Sequence, residues 1–292
     1  MRRILAATFF LLVVSSSYAA EQNPPANLTV QPMILVNGAP CLFTLQISGH
    51  PEKVTAKWQE HDVTFSPGDG NRWYALAGVT YESKPGTYDL VVDVAQPGGR
   101  TMHFSHPVVV HAARYKTSRL TVPQKYVTPD EETLKRIEAE KEIKKVAFDH
   151  LIPSPVWTGN FTAPVNTEIS ENYGTSRTLN GKLATVHRGT DFRAPMGTPV
   201  HATNAGEVVL AQELYYEGNC IVIDHGLGFM TLYMHLSKFD VKEGDKVEKG
   251  QPIALSGGTG RVTGPHLHLA VRWKGEYLDA TRLLALKLPA HP

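Results

Sequence analysis

Short runs of alternating apolar and polar residues, each closed by a turn rich in Gly or Pro, recur over most of this 292-residue chain. Side chains alternate between faces along a strand, so such runs suit sheets with one face packed and one wetted, and they leave little room for helices. Leu42-Phe43-Thr44-Leu45-Gln46-Ile47 alternates, as does Leu90-Val91-Val92-Asp93-Val94. Gln96-Pro97-Gly98-Gly99-Arg100 joins the second run to Met102-His103-Phe104, which predicts a hairpin. With further turn signals at Ser66-Pro67-Gly68 and Lys84-Pro85-Gly86, the spacing predicts a β-sandwich over residues 27–112.

Pro85-Gly86-Thr87-Tyr88-Asp89-Leu90 resembles the tyrosine corner of immunoglobulin-like domains, so an immunoglobulin-like sandwich is the expectation for the N-terminal part. The C-terminal part, 153–288, is again β-rich. Gly206–Leu210, Cys220–Asp224 and Met230–Tyr233 read as strands, Gly226 and Gly228 mark a turn, and an antiparallel sheet without a long helix is expected. Between the two parts, residues 128–150 predict a connecting helix. Thr128 is the expected N-cap, with Pro129 at the first helical position and Glu131 completing a capping box. Glu131/Lys135, Glu132/Arg136 and Glu140/Lys144 stand at i,i+4, and Leu134, Ile137, Ile143, Val146 and Phe148 form a broken apolar stripe. Pro153 and Pro155 close the segment.

A net charge of +1 provides no general basic field to hold nucleic acid. Arg2 and Arg3, the apolar run Ile4–Val14 and the small residues Ser17 and Ala19 read as a cleavable export signal over residues 1–19, since eleven apolar residues are too few for the roughly 20 a membrane span needs. The expected destination is the periplasm or cell envelope. Two cysteines, Cys41 and Cys220, cannot form a disulfide framework, and as each falls in a different domain core they are expected as buried thiols.

The chemistry-bearing residues lie in the last 130. His187-Arg188-Gly189-Thr190-Asp191 sets an imidazole and a carboxylate four apart, which share one face if the segment is a strand. His266-Leu267-His268 puts two imidazoles on one strand face, and His235 ends Tyr233-Met234-His235. Four histidines and an aspartate on three segments form a nitrogen and oxygen donor set suited to zinc. With more histidines than a three-ligand catalytic site requires, one is left for acid/base work, but the spacing alone does not say which histidines are ligands.

These three segments, with Asn172-Tyr173-Gly174, Ala194–Val200, Gly218-Asn219 and Ile223–Gly226, resemble the signatures of lysostaphin/LytM-type zinc endopeptidases over roughly residues 160–282. The resemblance implies a zinc metalloendopeptidase, a murein hydrolase cutting peptide cross-links of peptidoglycan. It implies one Zn²⁺ held by His187, Asp191 and His268, with His235 and His266 catalytic. Tyr173 is expected to line the cleft and hydrogen-bond the oxyanion. Some members of that family have lost ligands and only activate amidases or bind the wall, which is the competing reading; all five positions are kept here. No Gly-x-Ser-x-Gly elbow and no His-Glu-x-x-His helix is present. Residues 27–112 are expected to restrict the zinc cleft or, with the helix, to dock a regulatory protein.

Overall fold

The structure, a computed structural model, describes residues 26–290; the expected export signal, 1–19, lies outside them. The first half contains β1 (Ala26–Gln31), β2 (Leu35–Val36), β3 (Pro40–Ile47), β4 (Lys53–Trp58), β5 (His61–Thr64), β6 (Ser66–Pro67), β7 (Arg72–Gly78), β8 (Gly86–Ala95) and β9 (Thr101–His111). They form two sheets, ordered β1-β3-β7-β6 and β2-β9-β8-β4-β5. The β8/β9 hairpin pairs from Gly86↔Val110 to Ala95↔Thr101, and the Tyr88 hydroxyl donates to the Lys84 carbonyl at 2.8 Å. The sheets meet where Phe43 and Trp58 pack edge to face at 5.3 Å, and the Trp58 indole donates to the Gly78 carbonyl at 2.7 Å. The hydrogen bond lets a fully buried indole keep its polar group paired.

The chain then forms β10 (Thr117–Leu120) and α1 (Glu131–Asp149). The helix starts later than expected. Asp130, not Thr128, is the N-cap, its carboxylate accepting the Thr133 N–H at 2.8 Å, because the Thr128 hydroxyl is already engaged with Gln124. An anionic cap also suits the positive end of the helix dipole. Glu131–Lys135 pairs at 2.8 Å, but Arg136 turns to Glu140 and Lys144 to Glu217, both at 2.7 Å. Leu134, Ile143 and Val146 stay exposed, and of the apolar stripe Phe148 packs against the core of the second half. Ala147 and the buried Glu140 also face inward, and Glu140 accepts the backbone N–H of Tyr215 at 2.8 Å.

The second half comprises β11 (Ile169–Glu171), β12 (Ser176–Leu179), β13 (Leu183–Val186), β14 (Thr190–Phe192), β15 (Pro199–His201), β16 (Gly206–Leu214), β17 (Gly218–Asp224), β18 (Phe229–Phe239), β19 (Lys246–Val247), β20 (Pro252–Ser256), β21 (Leu267–Trp273), β22 (Glu276–Leu278) and the short α2 (Ala280–Ala285). Its main sheet runs β11-β14-β21-β18-β17-β16-β19, all antiparallel, while β10 adds in parallel to the β12/β13 pair. The halves touch where Arg188 pairs with Glu82 at 2.7 Å and Trp273 meets His61 at 4.9 Å. Cys41 and Cys220 are both buried and free. Among the described residues no helix is long and apolar enough to cross a membrane.

Two buried polar groups give measurable stability effects. Glu140→Leu leaves the Tyr215 N–H without its acceptor and removes one partner of the Arg136 guanidinium, so it should cost about 1–3 kcal/mol in urea unfolding, against near zero for exposed Glu142→Leu. His225 is fully buried, its Nδ1 2.7 Å from the Ala205 carbonyl and its Nε2 2.7 Å from the Thr231 hydroxyl, and burial pushes its pKa down from 6.5 to about 4. Between those values the unfolded chain binds a proton that the folded chain refuses, so stability is full above pH 6.5 and falls as the pH drops toward about 4. The loss from this residue is about 3 kcal/mol at the acid end. Urea unfolding across the window should show it, and His225→Gln should flatten that part of the profile.

Candidate metal centre

Three adjacent strands carry the site. In the order β14-β21-β18, Asp191 lies directly opposite His268, and His268 opposite Met234, the residue before His235. Side chains directly opposite across a pair are about 5 Å apart at Cβ, so register alone brings the carboxylate and the imidazole together. His187 arrives differently from the expectation that it shares a strand with Asp191. β14 begins only at Thr190, and His187 sits in the preceding turn, its N–H donating to the Thr175 carbonyl at 2.9 Å. Gly189 lets the turn pass beneath His268, since a Cβ there would lie 2.3 Å from His268 Nε2.

The donor atoms converge. His187 Nε2 is 3.0 Å from Asp191 Oδ1, His268 Nδ1 is 2.7 Å from the same oxygen, and the two nitrogens are 3.0 Å apart. All three residues are buried. The Nδ1 of His187 lies 3.0 Å from the Asn172 carbonyl, which as an acceptor holds the proton on Nδ1 and leaves Nε2 a lone pair facing the cluster. Burial opposes ionisation of Asp191, but the adjoining His187 and His268 imidazoles outweigh it and hold the carboxyl well below the usual carboxylate range. Burial pushes the His268 imidazole down, toward the neutral form that binds metal. An ionised carboxylate between two imidazole lone pairs, with no cysteine nearby, fits a divalent ion of the zinc type.

His235 and His266 stand beside this set. His235 Nδ1 is 2.9 Å from the Thr259 carbonyl and His266 Nδ1 is 2.8 Å from the Gly264 carbonyl, so in each ring Nε2 is the basic nitrogen. The two rings lie 4.9 Å apart, and His266 Nε2 is 3.6 Å from Asp191 Oδ1. Burial, then the neighbouring His268 and His266, push the His235 imidazole well down, so it stays neutral at pH 7. His235 holds φ at +63°, a left-handed conformation that costs a non-glycine residue energy and recurs at functional sites.

Asp191, His235, His266 and His268 all border one cleft of about 920 Å³. Tyr173 does not. It is buried, it packs against Tyr81 and Tyr115, and its hydroxyl donates to the Tyr277 carbonyl at 2.6 Å, so the expected oxyanion role has no geometric basis. Nor do residues 27–112 reach the cleft. The segment after them does, through Lys116, Ser118 and Leu120, so the expected restriction by the sandwich is corrected to a wall built by the linker. Arg177, Glu171 and Arg261 also face the cleft and were not singled out from sequence. Arg177 lies just past the Asn172-Tyr173-Gly174 motif, but no spacing signals that it meets Asp191.

Comparison with known proteins places this geometry. Residues 185–280 match the model of peptidase family M23. Peptidoglycan DD-endopeptidase ShyA of Vibrio cholerae is 50% identical over 101 residues, 35% of this chain and 24% of that protein. DD-carboxypeptidase/endopeptidase Mpg of Neisseria meningitidis is 44% identical over 91 residues, 31% of this chain and 21% of that one. The match thus spans about a quarter or less of these relatives' length. The crystal structure of a Pseudomonas aeruginosa protein assigned to peptidase M23 superposes with a TM-score of 0.64 at 28% identity, covering 85% of this chain and 94% of that one, so the likeness extends beyond the matched domain. With Asp191, His268 and His235 on adjacent strands of one antiparallel sheet, the chain carries a peptidase family M23 domain over residues 185–280.

Proposed function

We propose that this chain is a zinc-dependent endopeptidase that hydrolyses peptide cross-links of bacterial peptidoglycan in the cell envelope. One observation carries the reading: a buried His187–Asp191–His268 donor set borders a cleft through Asp191 and His268, beside two further histidines whose Nε2 atoms are basic. The similar proteins, peptidoglycan DD-endopeptidases among them, support the substrate class.

His187, Asp191 and His268 would hold one zinc ion, which when bound supplies a Lewis acid that polarises the scissile carbonyl and acidifies the attacking water. His266, with Nδ1 held at the Gly264 carbonyl, has Nε2 placed to take the proton of the attacking water and return it to the leaving amine. His235 Nε2 orients that water or, once protonated, donates to the developing oxyanion.

Metal content and new amines released from purified muropeptides test the assignment together. Purified protein should carry about one zinc per chain and lose hydrolysis to a chelator. Activity that survives complete metal removal contradicts the reading. Asp191→Ala should abolish both zinc retention and hydrolysis. His266→Ala should keep most of the zinc while kcat falls about 10²–10⁴-fold. Equal metal loss in both variants would show that the ligand and acid/base roles are wrongly divided.

A further inference from the structure

Asp191 turns only one of its oxygens to the two histidines; the other is held by a group that the catalytic reading does not use. Arg177 Nη2 donates to Asp191 Oδ2 at 2.8 Å and also bonds Glu171 Oε2. Glu171 Oε1 in turn accepts the Ser118 hydroxyl at 3.0 Å. This chain of contacts is written into strand register. Glu171 pairs directly with Asp191 across β11/β14, and Ser118 pairs directly with Arg177 across β10/β12. Two carboxylates directly opposite on paired strands repel each other, and a guanidinium reaching both turns that repulsion into a bridge. The bridge is largely buried, with side-chain exposures of 18%, 20% and 9% for Arg177, Glu171 and Asp191. Arg177 Nε is itself buried with no hydrogen-bond partner, so the residue is not placed to satisfy its own donors. Its placement serves the two carboxylates.

We propose that Arg177, braced by Glu171 and through it by Ser118 of the linker strand, is the positioning residue that makes Asp191 a one-oxygen ligand. Tying Oδ2 to the guanidinium leaves Oδ1 for the ion and prevents the carboxylate from closing on it with both oxygens. A zinc site held by two nitrogens and one oxygen keeps a coordination position for water or substrate, which a two-oxygen grip would crowd. Groups that orient ligating carboxylates shift metal affinity as well as activity. The linker strand, which lies outside residues 185–280, is thereby part of the metal site's support. The inference rests on the zinc assignment above.

The test uses the full chain and four variants: Arg177→Ala, Arg177→Lys, Glu171→Gln and Ser118→Ala. Zinc affinity is read by competition with a chromophoric chelator, and ligand geometry by the visible spectrum of the cobalt-loaded protein. Thermal unfolding of each metal-free form identifies variants that fail to fold. Arg177→Ala should weaken zinc binding about 10–100-fold and shift the cobalt bands toward higher coordination. Arg177→Lys keeps the charge without the planar fork, so it should recover part of the affinity while the cobalt spectrum stays altered. Glu171→Gln should fall in between, and Ser118→Ala should weaken binding by a few-fold. A folded Arg177→Ala with wild-type affinity and an unchanged cobalt spectrum overturns the proposal while leaving the zinc assignment standing. If Arg177→Ala is unfolded, wild-type affinity and spectrum in both Arg177→Lys and Glu171→Gln overturn it instead. A wild-type chain that binds neither zinc nor cobalt overturns both readings.

Discussion

Register between β14, β21 and β18 is the constraint on which the site depends. Side chains alternate along each strand, so a slip of one residue would send His268 to the opposite face and bury a leucine where the imidazole stands. The core prevents this. Leu267, Leu269 and Val271 are buried in the main core, while His268 and Ala270 take the other face. On β18 the fully buried Tyr233, whose hydroxyl accepts the Thr203 N–H at 2.8 Å, anchors the strand two residues before His235. The pattern that packs the sheet therefore also aims the donors.

Burial then sets the protonation states. Taking a carboxylate out of water is costly unless it is paired, and Asp191 is paired with two imidazoles on one oxygen and a guanidinium on the other. The same burial keeps His268 and His235 neutral, so at neutral pH the cluster combines an ionised carboxylate with unprotonated rings. Backbone carbonyls at Asn172, Thr259 and Gly264 select the tautomer of three of the four rings, which leaves the distal nitrogens for chemistry. The exposed helix dipoles and surface ion pairs of the molecule have no comparable consequence, since screened surface pairs contribute little.

The two halves are joined by more than a tether. β10 adds to the β12/β13 sheet, α1 docks on the second half through Glu140 and Ala147, and the segment between the sandwich and the helix walls the cleft. A linker that contributes a strand and a hydrogen bond to a carboxylate beside the donor set links the position of the first half to the site.

Much of this was legible in the residues. Local patterning determines the strands, because alternation, Gly/Pro turns and the β8/β9 hairpin depend only on neighbours in sequence, and the three histidine- and aspartate-bearing segments stand out for the same reason. Local reading failed wherever a partner far along the chain decided the outcome, and at the start of α1, where a neighbour did. Thr128 looked like a cap until Gln124 engaged it, and nothing near Glu140 in sequence marks the Tyr215 amide it meets. Tyr173 sits in a cleft motif, yet the Tyr277 carbonyl and two other tyrosines draw it into the interior. Arg177, Glu171 and Ser118 carry no spacing signal, because what unites them with Asp191 is pairing between strands, Ser118 opposite Arg177 and Glu171 opposite Asp191. Sequence by itself determined which residues could bind a metal and which segments were strands. Tertiary structure decided which oxygen, which ring nitrogen and which linker residue meet there, because those choices depend on register and burial between strands distant in the chain.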